Sequence, residues 1–124
     1  MALDPKVVAL LKDPNLAHFA TVSKDGKPHV TPVWVDTDGE AVLINTAKGR
    51  VKHKNVLNNP YVAISVNDKN DFYNTFVMRG KAELVEQGAE EHIDMLAKKY
   101  LNVDKYPWRQ EGEQRIIIRV IPNK

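Results

Sequence analysis

The densest run of anion-seeking groups in the chain is Asn45-Thr46-Ala47-Lys48-Gly49-Arg50-Val51-Lys52-His53-Lys54-Asn55. Between residues 48 and 59 it carries four cations and no acid. It falls where an apolar strand ends and a short helix, expected over about 50–58, begins. A helix start presents unpaired N–H groups and the positive end of the peptide dipoles, a ready anion site. Thr46 adds a hydroxyl, Gly49 lets the backbone approach closely, Arg50 can grip oxygens with a fork, and Lys52 contributes a point charge one turn on. Those are the donor types that a phosphate monoester takes. The same run also describes a solvated basic helix with Lys48 and Lys54 as ordinary surface charges, and spacing alone leaves the two readings level. Single-stranded nucleic acid is a weaker third reading. It calls for stacking aromatics beside the basic groove, and the nearby Trp34 and Tyr61 lie on different strands.

A second unusual stretch is the strand 28–35, where His29, Thr31 and Pro32 alternate with Val30, Val33 and Trp34 without forming a clean apolar face. Pro32 cannot donate to a strand ladder, so its position is an edge, a bulge or a surface turned to a ligand. An irregular edge strand has the same pattern, and Trp34 reads as core. Metal binding is not expected. His18, His29, His53 and His92 are scattered without ligand spacing, and the chain has no cysteine, which removes thiolates and disulfides. Glu90-Glu91 reads as charge favoured at a helix start. There is no serine-nucleophile motif and no carboxylate pair with a role. That suits chemistry carried by a cofactor which the protein only orients.

What positions these residues is a single domain of 124 residues, 43% hydrophobic and 27% charged. Its formal charge of +2 is too small to draw nucleic acid or an anionic membrane in bulk. The start, MALDPKVVALLKDPN, lacks the basic lead and long apolar core of a secretion signal. No run approaches the roughly 18 apolar residues of a membrane helix. A soluble cytoplasmic protein is expected. A helix over 4–12 has Asp4 as N-cap and Pro5 at its first position. Three strands in a meander follow at 17–23, 28–35 and 40–46, with turns at Lys24-Asp25-Gly26-Lys27 and Asp36-Thr37-Asp38-Gly39. After the basic helix come strand 61–67, a polar loop from Asp68, and a long strand 75–86. In that strand Phe76, Met78, Gly80, Ala82 and Leu84 share one face. Helix 89–101 repeats Ile93, Leu96, Ala97, Tyr100 and Leu101 at helical spacing, and strand 114–121 closes the chain. Six strands with few helices predict a small closed or partly open barrel. A Rossmann sheet is disfavoured, since helices do not alternate with strands and no GxGxxG follows one.

Four blocks span nearly the whole chain: ATVSKDGKPHVTPVWV at 20–35, NTAKGRVKHKNVLNNPYVAISV at 45–66, MRGKAELVEQGAEEHIDMLAKKYL at 78–101, and YPWRQEGEQRIIIRV at 106–120. In these blocks the chain resembles the pyridoxamine 5′-phosphate oxidase-like split-barrel superfamily. Within it, the last two blocks resemble the short F420-dependent (deazaflavin) oxidoreductases. The resemblance implies a mainly β, six-stranded antiparallel split β-barrel with short flanking helices, forming a homodimer with one cofactor in each of two interface clefts. It implies that Arg50 and Lys52 hold the cofactor phosphate, helped by Thr46 and by backbone at Ala47 and Lys48, with Asn55 supporting the turn. His29, Thr31, Pro32 and Asn45 would line the ring, and Tyr73 and Trp108 would approach from the partner subunit. The implied activity is hydride transfer from reduced coenzyme F420, or alternatively FMN, to an electron-poor organic acceptor such as an unsaturated carbonyl. An FMN-dependent enzyme like pyridoxamine phosphate oxidase, or a non-catalytic flavin or F420 carrier, stand as alternatives. Two departures lie near the expected substrate opening. His29 stands where such relatives often have glutamine, and Phe72-Tyr73-Asn74-Thr75 stands where they have an aromatic, arginine-rich stretch.

Overall fold

The computed structural model of the chain describes residues 2–123. In order, the elements are α1 (Pro5–Lys12), β1 (Ala17–Val22), β2 (Pro28–Val33), β3 (Asp36–Thr37), β4 (Val42–Ala47), α2 (Val51–Asn58), β5 (Tyr61–Asp68), β6 (Asp71–Val85), α3 (Ala89–Leu101) and β7 (Arg115–Pro122). The first helix starts as its sequence predicts: the Asp4 carboxylate accepts from the Lys6 N–H at 2.8 Å and Pro5 occupies the first turn. Beyond its end, Asn15 is buried; its Nδ2 donates to the Leu10 carbonyl at 2.9 Å and its Oδ1 accepts from the Lys69 N–H.

The strands form one antiparallel sheet in the order β2-β1-β5-β6-β7-β4-β3. Its two edge strands, β2 and β3, follow each other in sequence through Trp34 and Val35. The sheet therefore curls back on itself as a half-barrel with its seam between them. Alternation fills the inside: Phe19, Ile44, Ile64, Val66, Ile118 and Val120 are buried, and Leu10 and Leu11 of α1 plug one side. On β6 the buried residues are Met78, Gly80 and Ala82, with Phe76 and Leu84 partly covered on the same face. Across the mouth of the curl, α3 packs on β7 and β4, and α2 on β1 and β4. No helix among the described residues is long and apolar enough to cross a membrane.

Three expectations change. The meander does not form, because strand 40–46 pairs with β7 and β3, and β2 pairs only with β1. β2 carries Pro32, which has no N–H to give, and it stays an edge. The turn at 36–39 is shorter than expected. Asp36 and Thr37 form a two-residue strand against Leu43 and Val42, so the sheet has seven strands rather than six. The tight turn then lies at Asp38, whose Oδ1 accepts from the N–H groups of Glu40 and Ala41. Finally, β6 begins at Asp71 rather than 75. The polar stretch 68–74 is a hairpin in which Asp68 Oδ1 accepts from the Asn70 N–H, and pairing with β5 overrides its loop-like composition.

Candidate functional site

The last residues of β4 run beside the first residues of β7, with Ala47 opposite Arg115 and Asn45 opposite Ile117. The chain leaves β4 through Gly49, whose φ of +91° is left-handed, and enters α2 at Arg50, which has no side-chain cap. The first N–H groups of α2 thus lack a partner from the helix or from a cap. Next to this corner lies a cleft of about 340 Å³, bounded by the β2–β3 link, β4, α2, α3 and the loop after α3.

One end of the cleft is cationic. The Arg115 side chain is 2% exposed. Its Nε donates to Asn45 Oδ1 at 2.8 Å, and its guanidinium carbon lies 5.1 Å from the Tyr106 ring centre. Glu113 Oε1 sits 3.3 Å from Arg115 Nη1 and 3.3 Å from Arg50 Nη2, so one carboxylate is shared by two guanidinium groups. Lys52 completes the set. Burial first, then the charges of Arg50 and Arg115, push its ammonium below the usual lysine range. Thr46, 1% exposed, also borders the cleft, and its buried hydroxyl has no hydrogen-bond partner. Two guanidinium groups sharing one carboxylate, with a third cation beside them, is an arrangement that accepts an anion.

The other end is aromatic and apolar. Trp34 stacks on Tyr100 with centroids 5.2 Å apart and planes 5° from parallel, and it meets Tyr106 edge-on at 6.1 Å and Trp108 at 6.3 Å. The Tyr100 hydroxyl donates to the Asn15 carbonyl and accepts from the Val35 N–H at 3.0 Å; burial pushes it up to about 12. The loop bearing Tyr106 and Trp108 is tied to α3: Asp94 Oδ1 accepts from the Tyr106 N–H, and Arg109 pairs with Glu90 and Asp94. Leu16, Pro32 and Val33 finish this end.

Of the residues expected from the sequence, Pro32, Asn45, Thr46, Arg50, Lys52 and Trp108 come together around the cleft. Others lie elsewhere. The Lys48 ammonium turns away to Glu86, and its backbone N–H is already donated to Gln114, so neither can serve the cleft. Ala47 is buried in the β4–β7 ladder, and its carbonyl accepts from the Arg50 N–H. Asn55 points inward, its Nδ2 donating to Thr21 Oγ1 at 2.9 Å, which pins α2 to β1. His29 and Thr31 do not line the cleft, although His29 Nδ1 and Thr31 Oγ1 are buried without partners on β2. Tyr73 is 96% exposed on the β5–β6 hairpin, away from the cleft. Trp108 packs in its own chain's cleft, where the resemblance brought it from a partner. Trp34 lines the cleft rather than filling the core. Sequence reading missed Arg115, Glu113, Tyr106 and His92. A cation opening the apolar run RIIIRVI was the one local sign of the first. No group of three or more His, Cys, Asp or Glu able to hold a metal occurs among the described residues.

The profile of the family described as pyridoxamine 5′-phosphate oxidase matches residues 3–122. A solved structure described as an F420 reductase is 32% identical, with a TM-score of 0.80, covering 94% of this chain and 92% of that one. A conserved hypothetical protein from Mycobacterium tuberculosis is 20% identical with a TM-score of 0.76, over 100% of this chain and 82% of that one. A heme storage protein from Vibrio cholerae shares the fold at 15% identity and a TM-score of 0.67, over 100% of this chain and 92% of that one. Function on this scaffold therefore has to be argued from the cleft.

Proposed function

The chain belongs to the pyridoxamine 5′-phosphate oxidase family, and from that premise we propose that it is an oxidoreductase whose cleft holds a phosphorylated flavin-type cofactor. Reduced coenzyme F420 is the preferred cofactor and FMN the alternative. The observation that carries this reading is the convergence of Arg50, Lys52 and Arg115 on one cleft, with Glu113 as the carboxylate paired to the two arginines. The unpartnered Thr46 hydroxyl and the uncapped start of α2 supply neutral donors beside those charges. Together they fit a phosphate group. The similarity to an F420 reductase over nearly the whole of both chains supports the deazaflavin.

When bound, such a cofactor supplies hydride chemistry toward an electron-poor acceptor, for which an unsaturated carbonyl is the class we favour. The protein's part is binding and orientation. Arg50 and Lys52 take the anionic end with charge-assisted bonds, and Arg115 behind them sustains the positive potential. Trp34 and Trp108 offer flat apolar surface for a planar ring and keep water from that end of the cleft. Fixing the tail by several contacts sets the ring's approach to its acceptor, which is the contribution of proximity.

Losing one charge-assisted contact costs about 1.5–3 kcal/mol, so Arg50→Ala weakens binding roughly ten- to a hundred-fold. Calorimetric titration of the variant with F420 and with FMN, side by side, tests this and chooses the cofactor. Unchanged affinity for both puts the grip elsewhere. Tight binding of reduced F420 with no return of the oxidised cofactor's visible absorbance in the presence of unsaturated carbonyls identifies a carrier instead of an enzyme.

A further inference from the structure

Behind the cleft wall, the side chains of Asp36, His92, Asn45 and Arg115 stand in line. His92 is on α3, with its side chain 7% exposed. Asn45 Nδ2 donates both to the Ala89 carbonyl at 2.9 Å and to His92 Nδ1 at 3.1 Å. With Nδ1 accepting, the neutral ring carries its proton on Nε2, which faces Asp36 Oδ2 at 3.6 Å. Both amide hydrogens of Asn45 are thereby committed, and its Oδ1 is the group left to receive Arg115 Nε at 2.8 Å. The orientation of the Asn45 amide, and with it the Arg115 anchor, depends on His92 presenting a lone pair.

We propose that His92 is a positioning residue for the anion cleft: its neutral ring holds Asn45 in the orientation that anchors Arg115, and its protonation releases that anchor. The proposal rests on the reading of the cleft as a cofactor-phosphate site. Protonated at Nδ1, the ring sets donor against donor at 3.1 Å. The Asn45 amide then turns over, its NH2 meets Arg115 Nε as a second donor clash, and the Ala89 carbonyl loses its partner. Arg115 is left with Glu113 and the face of Tyr106. The charged groups around the ring act in both directions. Asp36 on β3 favours the imidazolium. Lys12 on α1, 3.0 Å from that same carboxylate, Lys99 on α3 and Arg115 on β7 oppose it, as does burial. Glu90 on α3 accepts from the Arg115 N–H and Glu113 pairs with its guanidinium.

The test compares wild type with His92→Asn, whose Oδ1 replaces the Nδ1 acceptor but does not titrate, and with His92→Leu, which has no acceptor. Nitrogen-detected NMR of the unliganded protein follows the Arg115 Nε–H and the Asn45 amide while pH is lowered. In wild type both signals move in one step with the His92 ring, and in His92→Asn they stay put. In parallel, FMN and F420 dissociation constants are measured across the same pH range. Through that step the wild-type constant rises about tenfold, as Arg115 leaves the position from which it sustains the positive potential at the anion end. A phosphate monoester itself gains a proton at about pH 6, so the readout is the ratio to His92→Asn at each pH: wild type departs from it through the step, and His92→Leu, if folded, stays weaker by a constant ratio. An Arg115 Nε–H signal indifferent to His92 titration, or a neutral ring carrying its proton on Nδ1, overturns the positioning role. Failure of both cofactors to bind at any pH overturns the cofactor reading, while the NMR arm still decides the role of His92.

Discussion

If the cleft takes a phosphate as proposed, Glu113 is the carboxylate it competes with for Arg50 and Arg115, and Glu113→Gln isolates that charge while keeping the side chain's shape. Its Oε1 lies 3.3 Å from nitrogens of both Arg50 and Arg115, and its side chain is 6% exposed. The Arg50 side chain is 47% exposed, so its pairing with Glu113 is worth at most about 1 kcal/mol. A second contribution is repulsion. A unit negative charge about 6 Å from a bound phosphate, at an effective dielectric near 20, repels it by about 3 kcal/mol, and solvent in the open cleft screens that toward 1 kcal/mol. Removing the charge therefore favours the anion by about 1–2 kcal/mol, roughly five- to thirty-fold in affinity. The fold responds the other way, because Arg115 loses its buried counter-charge at a cost of about 1–3 kcal/mol. With an unfolding entropy of about 2.1 cal/mol/K per residue, each kcal/mol shifts Tm by about 4 °C in a chain of 124 residues. Glu113→Gln is thus expected to melt roughly 4–12 °C lower yet bind FMN and F420 more tightly at 20 °C, an advantage that shrinks as salt is added. Fluorescence titration at two ionic strengths measures both. A folded variant that binds equally or more weakly refutes the reasoning and makes Glu113 an organiser of the guanidinium groups rather than their competitor.

Two further outcomes follow from geometry outside the cleft. A Cβ on Gly80 of β6 would lie 2.4 Å from the Ile121 carbonyl oxygen and 2.8 Å from Val120 Cγ1; since the first is backbone, Gly80→Ala is expected to cost about 1–3 kcal/mol in thermal melts without altering cofactor affinity, and an unchanged Tm would show slack between β6 and β7. Tyr73, exposed on its hairpin, can reach a cofactor only in another copy of the chain, so sedimentation equilibrium should find a two-chain species that Tyr73→Ser leaves with weaker FMN or F420 binding; a monomer at micromolar concentration removes Tyr73 from the cofactor set.

The fold was legible wherever periodicity was strong. On β6 the expected face holds Met78, Gly80 and Ala82 buried with Phe76 and Leu84 partly covered, and on α3 Ile93, Leu96 and Ala97 are buried, whereas Tyr100 is half-buried and Leu101 is exposed at the helix end. At 36–39 the local signal was right and the arms were wrong. Asp38-Gly39 does turn the chain, but the strand entering that turn is only Asp36–Thr37, because β2 ends at Val33. Trp34 and Val35 then cross the seam of the half-barrel. Turn chemistry reports that the chain reverses; it carries nothing about which distant strand waits on the other side. The partner of β4 is β7, about seventy residues later in the chain.

The same distinction governs the site. Thr46, Arg50 and Lys52 were readable because one strand-to-helix corner presents them together, and Gly49 with its positive φ makes the corner. Arg115, Glu113 and His92 were not, because the register of β4 on β7 and the seat of α3 across the mouth bring them there. Reading the run 45–55 alone also overstated its reach: Lys48 has the right charge and the wrong direction, neutralised by Glu86. What remains after that subtraction is the more informative fact. Lys52 is held below its usual range by burial and by Arg50 and Arg115, a state that lowers the stability of the folded chain and that no pairing with a carboxylate among the described residues relieves. Local consistency is broken at this corner and kept almost everywhere else in the sheet, and such breaks concentrate where a ligand completes the structure. An anion at the start of α2 would satisfy the uncapped N–H groups and relieve the crowded cations at once, which is why the proposed cofactor phosphate is placed at this corner.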